Sequence, residues 1–298
     1  MIRMKSYGMC PASCGEFVQG IIDDEEYLCS YAIDMYSKVY IEEKLIDINL
    51  GRRKSRLAIE KVFEKFNLPK KYTKNISLNI DSKIPVGKGM ASSTADIGAT
   101  IKATLSLIDK DLSSEEICKL AAEIEPTDSI FIDKNSIFNP LSGTVIKYLG
   151  NLTNAKVIIL EPNKMLDTMK IRLRKDYNTL KIENREIIKR SFAILEEGLK
   201  SDNLSLVGEA CTLSSLANEN IEKKEYLSEI IKISKKCGAY GVNIAHSGTV
   251  IGILIDKFMD DKKIIDVLCE SNIDSVYNKI YTLNIINGGI KGEIECNT

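Results

Sequence analysis

The chain has 298 residues, 44% of them hydrophobic, and a formal net charge of −1. That is enough apolar material for one large or two moderate domains, and the near-neutral balance argues against nucleic acid or an anionic membrane surface as partner. No apolar run reaches the roughly 18 residues a membrane helix needs, and the N-terminal MIRMKSYGMCPASCGE lacks a signal-peptide core, so the expected location is cytoplasmic.

Eight cysteines are scattered without a CxxC pair, which reads as reduced thiols. Cys10, Cys14 and Cys29 could meet at a metal, but His246 is the single histidine, which also weakens any Ser-His-Asp or Cys-His scheme.

In chain order, 7–44 reads as strands. Segments 16–22 and 27–32 flank the acidic turn Asp23-Asp24-Glu25-Glu26, and 37–43 alternates Val39 and Ile41 with polar residues. A helix is expected over 57–66, with Ile59, Val62, Phe63 and Phe66 on one side and Pro69 beyond its end. A strand-like run, 76–84, precedes a helix over 95–108 whose Ile97, Ile101, Leu105 and Ile108 share a stripe. Ser113 with Glu116 has the spacing of a capping box for a helix to about 124, ended by Pro126. Strands are expected over 140–148 and 156–160. Helical stripes follow at Ile188, Phe192, Leu195 and Leu199, at Leu206, Leu213 and Leu216, and at Leu227, Ile230, Ile231 and Ser234, the last stopped by Gly238. Apolar strands over 242–245 and 249–255, a helix near 264–268 and a strand over 276–286 complete the chain. The order fits an α+β sandwich, with a soft boundary near Asn151–Asn154 separating 1–154 from 155–298.

Between the strand at 76–84 and the next helix stand Pro85, Val86, Gly87, Lys88, Gly89, Met90, Ala91, Ser92, Ser93 and Thr94. A small-residue loop opening onto a helix N-terminus is an anion site: first-turn N–H groups point outward and the helix dipole adds positive potential. Gly87 and Gly89 let backbone approach a phosphate, Lys88 adds a cation, and Ser92, Ser93 and Thr94 offer hydroxyls to phosphate oxygen or Mg²⁺. The run is neither the common P-loop, because Gly89 follows Lys88, nor a dinucleotide fingerprint, because the third glycine is missing. An ordinary glycine turn before a buried helix is the alternative.

Three further features stand out. Pro11–Gly20 makes a tight turn with two glycines and with Ser13, Glu16 and Gln19 as polar groups; Cys14 has no activating neighbour in sequence and reads as a packing residue. Glu123-Ile124-Glu125-Pro126-Thr127-Asp128-Ser129 places carboxylates where a helix ends. Such groups can hold Mg²⁺ near a triphosphate or orient an acceptor hydroxyl, or simply be a solvated surface. Asn243–Val250 is a polar turn between apolar strands, carrying His246 and Ser247.

Taken together, these stretches resemble the motifs of the GHMP small-molecule kinases. Their phosphate loop runs roughly P-x-x-x-G-L-x-S-S-A, and Pro85, Gly89, Met90, Ser92 and Ser93 occupy those places, with Met90 for Leu and Thr94 where Ala is usual. The forms PASCGE-hydrophobic-x-QG, EPTDS and AHSGT are similar to the branch that phosphorylates L-threonine for cobalamin biosynthesis. Gly248 is the only glycine of a normally glycine-rich third motif. The resemblance implies a two-domain fold: an N-terminal domain like ribosomal protein S5 domain 2 and a ferredoxin-like C-terminal domain, with the site in the cleft between. It implies ATP on 85–94, Mg²⁺ held by Ser92 and Glu125, Asp128 as base toward the acceptor hydroxyl, and Ser13, Gly15, Glu16, Gln19, His246 and Ser247 on the acceptor side. Glu123 competes with Glu125 for the metal. L-serine or homoserine as acceptor, and a non-catalytic nucleotide-binding regulator, stay as alternatives, and a homodimer stays open.

Overall fold

A computed structural model describes residues 5–44, 52–152, 154–164, 173–245 and 248–295. It opens with a long antiparallel hairpin, β1 (Lys5–Ile22) and β2 (Glu25–Glu43). Asp23 and Asp24, at φ 49° and 67°, supply the two left-handed residues a tight hairpin turn needs. The tight turn expected over Pro11–Gly20 is instead a bulged bend inside β1, because register shifts between Pro11 and Ala12 and on either side of Glu16 bend the strand without breaking its pairing with β2; this bend is the first turn referred to below.

Next come α1 (Arg53–Lys65), β3 (Ile76–Ser82) paired on β2, α2 (Ser92–Leu107) and α3 (Ser114–Ala122). The capping box at Ser113 and Glu116 is formed as its spacing predicts. Helix α2 starts already at Ser92, because Ala91 sits in the left-handed region (φ 57°) and turns the loop straight into the helix. It is no amphipathic surface helix. Asp96, Thr100 and Thr104 are buried along with its isoleucine stripe, and the two threonine hydroxyls bond back to Asp96 O at 2.6 Å and Thr100 O at 2.8 Å. Gly8 of β1 lets the helix lie against the strand, since a Cβ there would strike the Ala99 carbonyl.

The single strand expected over 140–148 is instead a hairpin, β4 (Asn135–Asn139) and β5 (Thr144–Gly150). Asn139 Oδ1 accepts from Leu141 N at 3.0 Å and Ser142 N at 3.1 Å, and Gly143 has φ 68°, so local turn chemistry overrides the apolar run. The second half holds β6 (Ala155–Glu161), α4 (Tyr177–Glu183), α5 (Arg185–Lys200), α6 (Leu204–Asn218), α7 (Leu227–Lys236), β7 (Gly241–Ile244), β8 (Ile251–Asp256), α8 (Lys262–Glu270), β9 (Lys279–Ile286) and β10 (Lys291–Glu295). Neither α4 nor β10 is anticipated by the sequence patterns.

The strands run in the order β10-β1-β2-β9-β6-β8-β7, all pairs antiparallel. β1 is buried along nearly its whole length, in contact with α2, α5 and α6. This is an α+β architecture in which the hairpin β1–β2 carries the packing of both halves.

Candidate active site

Three stretches far apart in sequence meet around residues 85–94. Ser13 N donates to Met90 O at 3.3 Å, and Thr249 N and Val250 N donate to Lys88 O at 2.9 and 3.3 Å. Gly89 (φ 81°) has room for no side chain: a Cβ would lie 2.5 Å from Ala245 Cβ and 2.6 Å from Gly248 Cα. Gly15 (φ 77°) is pressed as closely on Ala245, with a Cβ 2.7 Å from its Cα. A buried triangle locks the first turn to the third: Tyr31 Oη donates its one proton to Asn243 Oδ1 at 2.8 Å and also lies 3.1 Å from Cys14 O, while Asn243 Nδ2 donates to Cys14 O at 2.6 Å. The glycines and this triangle hold the loop at the mouth of α2.

No side chain caps α2, which leaves its N-terminal turn to an outside anion. Ser92 is buried as its first residue, Ser93 is half-buried, Val86 is exposed, and Thr94 Oγ1 donates to Asp128 Oδ2 at 3.4 Å. Lys88 does not project with its loop. Its ammonium donates to the carbonyls of Pro162 and, at 2.8 Å, Lys164, just past β6. Burial lowers its pKa, Glu161 opposing this and Lys279 adding to it. Two main-chain carbonyls outcompete the loop mouth for this cation, a pairing no local spacing reveals.

The carboxylates separate by depth. Glu123 is exposed and pairs with Lys61 at 2.6 Å. Glu125 is mostly covered. It pairs with Lys54, whose Nζ also donates to Ser93 Oγ at 3.3 Å, and its second oxygen, Oε1, is buried without a partner among the described residues. Asp128 joins two elements: Oδ1 accepts from Ser30 Oγ of β2 at 2.9 Å and Oδ2 from Thr94 of α2. Asp96 lies beneath, holding Arg52 and accepting from Ser37 Oγ at 2.6 Å; burial raises its pKa against those two partners, and Glu125 raises it further.

On the first turn, Glu16 and Gln19 are buried. Gln19 Nε2 donates to Ile244 O at 3.4 Å, its main-chain N–H donates to Ser214 Oγ at 3.2 Å, and its Oε1 has no partner among the described residues. Ser13 Oγ donates to Gly15 O at 2.5 Å. His246 and Ser247 lie outside the described residues. Cys14 is fully buried, and burial pushes its thiol up to about 12, so it packs and does not attack.

The chain matches the family of GHMP kinases N terminal domains over residues 53–132 and that of GHMP kinases C terminal domains over 195–274. It is 32% identical to the L-threonine kinase of Salmonella typhimurium over 288 residues, 95% of this chain and 94% of that protein. It belongs to the GHMP kinase family. The L-threonine kinase of Citrobacter freundii is 29% identical over 95% of this chain and 98% of its own. In three dimensions the GHMP kinase fold is evident in the match to homoserine kinase from Cytophaga hutchinsonii, with a TM-score of 0.73 at 17% identity over 98% of each chain. As in other GHMP kinases, ATP is the nucleotide to be placed on this frame.

Two cations of this GHMP kinase escape sequence reasoning. Lys54 stands 39 residues from Ser93 and 71 from Glu125, so only the fold brings them together. Lys224, 4% exposed, donates to Gly248 O at 2.7 Å, and burial pushes its pKa down to about 8, with Glu222 and Glu16 opposing and Lys164 reinforcing. The one signal that could have found Lys54 is the run Arg52-Arg53-Lys54-Ser55-Arg56 at a helix start, where cations are unfavourable.

Proposed function

We propose that this GHMP kinase transfers the γ-phosphoryl group of ATP to the side-chain hydroxyl of L-threonine, giving O-phospho-L-threonine and ADP for the aminopropanol linker of cobalamin. The observation that carries the reading is the place of Asp128, bonded to Thr94 in the first turn of α2 and to Ser30 on β2. A carboxylate there stands between a triphosphate on 85–94 and an acceptor against the first turn, where it would orient or deprotonate the hydroxyl. The acceptor is named on the near full-length similarity to two L-threonine kinases. A zwitterionic amino acid needs one group of each sign, and Glu16 and Lys224 lie within electrostatic reach of one another on that side. Ser92 and Glu125 would hold Mg²⁺, and the unpartnered buried Oε1 of Glu125 fits a missing cation. When bound, the metal neutralises charge on the β- and γ-phosphates. The remaining work is positioning by the loop amides, Asp128 and the acceptor-side groups. A cytoplasmic location with only small-molecule substrates goes with this reading.

ADP release with Mg²⁺-ATP across L-threonine, L-serine, L-homoserine, threoninol and mevalonate tests it. Turnover should favour L-threonine, and Asp128→Asn should lower kcat far more than it weakens ATP binding. Preference for another alcohol removes the cobalamin assignment; equal, modest losses in the variant remove the base. ATP binding without turnover on any acceptor favours a regulator.

A further inference from the structure

The first turn of α1 breaks an electrostatic rule. Arg52, Arg53, Lys54 and Arg56 crowd the positive end of a helix that has no acidic residue in that turn and no side-chain cap. Local rules broken in this way concentrate at functional sites, where a ligand supplies the missing partner. Among the described residues, Asp96 takes Arg52 and Glu125 takes Lys54. The second pairing is lopsided. Lys54 is 49% exposed, whereas Glu125 is 16% exposed and keeps Oε1 buried and unpartnered. The same ammonium reaches Ser93 Oγ in the first turn of α2. Lys88, the cation of the loop itself, is directed at the carbonyls of Pro162 and Lys164. Among the described residues, Lys54 is thus the cation whose side chain bonds the mouth of the phosphate loop.

We propose that Lys54 is the cation that receives the triphosphate of ATP, and that its ion pair with Glu125 is a resting state which nucleotide displaces. This rests on the reading that residues 85–94 take the triphosphate. The exchange is energetically easy. A half-exposed lysine pair is worth only about 0–1 kcal/mol, the stem is flexible, and a charge-assisted bond to phosphate is stronger. Leaving Glu125 returns that carboxylate, with its orphan oxygen, to a cation of higher charge. One residue therefore acts on two ligands with opposite signs: it attracts nucleotide, and it blocks metal while nucleotide is absent.

The test uses full-length protein without acceptor. ATP affinity is measured by calorimetry, and nucleotide-free Mn²⁺ binding by electron paramagnetic resonance, for wild type, Lys54→Met and Lys54→Arg. Lys54→Met should raise the Kd for ATP on the order of tenfold, and Lys54→Arg should recover most of it. With nucleotide absent, Lys54→Met should bind Mn²⁺ about threefold tighter than wild type, the reverse of what a merely loosened site would do. An unchanged Kd for ATP overturns the phosphate contact. Unchanged or weaker Mn²⁺ binding overturns the resting-state pair. Wild-type protein that binds no ATP brings down this inference and the proposed function together.

Discussion

Cys10, Cys14, Cys29, Cys118 and Cys211 are buried thiols, and burial sets their behaviour in alkali. It pushes Cys14, Cys29 and Cys118 from an ordinary 9 up to about 12 and raises Cys10 and Cys211 strongly as well. Between those limits the folded chain keeps protons that the unfolded chain has lost, so stability is full below about pH 9 and falls as pH rises toward 12. The slope approaches about 1.4 kcal/mol per pH unit for each thiol. Lys224 works the other way: its folded value of about 8 against an ordinary 10.5 makes stability rise between the two. Several thiols outweigh one lysine, and the buried Tyr31 and Tyr277, raised chiefly by burial, pull with the thiols. The denaturant midpoint in reductant should therefore drop between pH 8 and pH 10; a flat or rising profile would contradict these burials. The packing role of Cys14 was readable from its neighbours in sequence. The direction of Lys88 was not, because its partners Pro162 and Lys164 lie 74 and 76 residues away.

At the scale of elements, Gly248 is where the third turn seats on the phosphate loop. A Cβ there would strike Lys88 O and Gly89 Cα, both main-chain atoms that cannot swing aside. Gly89 is trapped from the other side and also needs φ 81°, which costs an L-residue roughly 1–2 kcal/mol before any clash. Gly248→Ala should separate the two turns, weakening ATP binding by on the order of tenfold or more, with a loss of about 2 kcal/mol in stability. Titration with a fluorescent ATP analogue, alongside denaturant unfolding, checks this; wild-type affinity in a folded variant would mean the seat does not shape the loop. The period-2 and period-3.6 patterns exposed most strands and helices because each buries one face against a core. They failed at 140–148, where Asn139 builds a turn inside an apolar run, and at α2, whose buried threonines and Asp96 find partners no stripe reveals. The glycine turn at 85–94 and the helix it opens were legible because the residues that make them are adjacent in sequence. Which acid lies nearer that turn was not decided by spacing, since only the fold leaves Glu123 exposed against Lys61 and covers Glu125 against Lys54.

For the molecule as a whole, the proposed division into 1–154 and 155–298 has to accommodate a chain that returns. β9 pairs with β6 over Lys156–Glu161 and then with Ala32 and Ile33 of β2. β10 goes further and pairs with residues 5–9 of β1, opposite the strand's β2 edge. Between them, Gly289 N donates to Ile130 O at 2.9 Å, just beyond Asp128, and a cavity of about 10 Å³, the size of one water, is lined by Ser30, Ser129, Asp133 and Asn287. The first half thus borrows its outer strand, and one wall beside Asp128, from the last residues of the chain. A protein ending at Ile286 loses the β10 ladder, whose bonds are each worth about 1 kcal/mol net, and leaves the β1 edge unpaired. That is about 3–5 kcal/mol, a large share of an ordinary folding free energy of about 5–15 kcal/mol. The truncated protein should melt well below the full chain and lose kcat as the turn that follows Asp128 loses the bond from Gly289 to Ile130. The isolated fragment 1–154, lacking both β9 and β10, should show no cooperative melt. A cooperative transition in that fragment at the temperature of the intact protein would make the division a boundary between independent folding units, with β10 a dispensable edge.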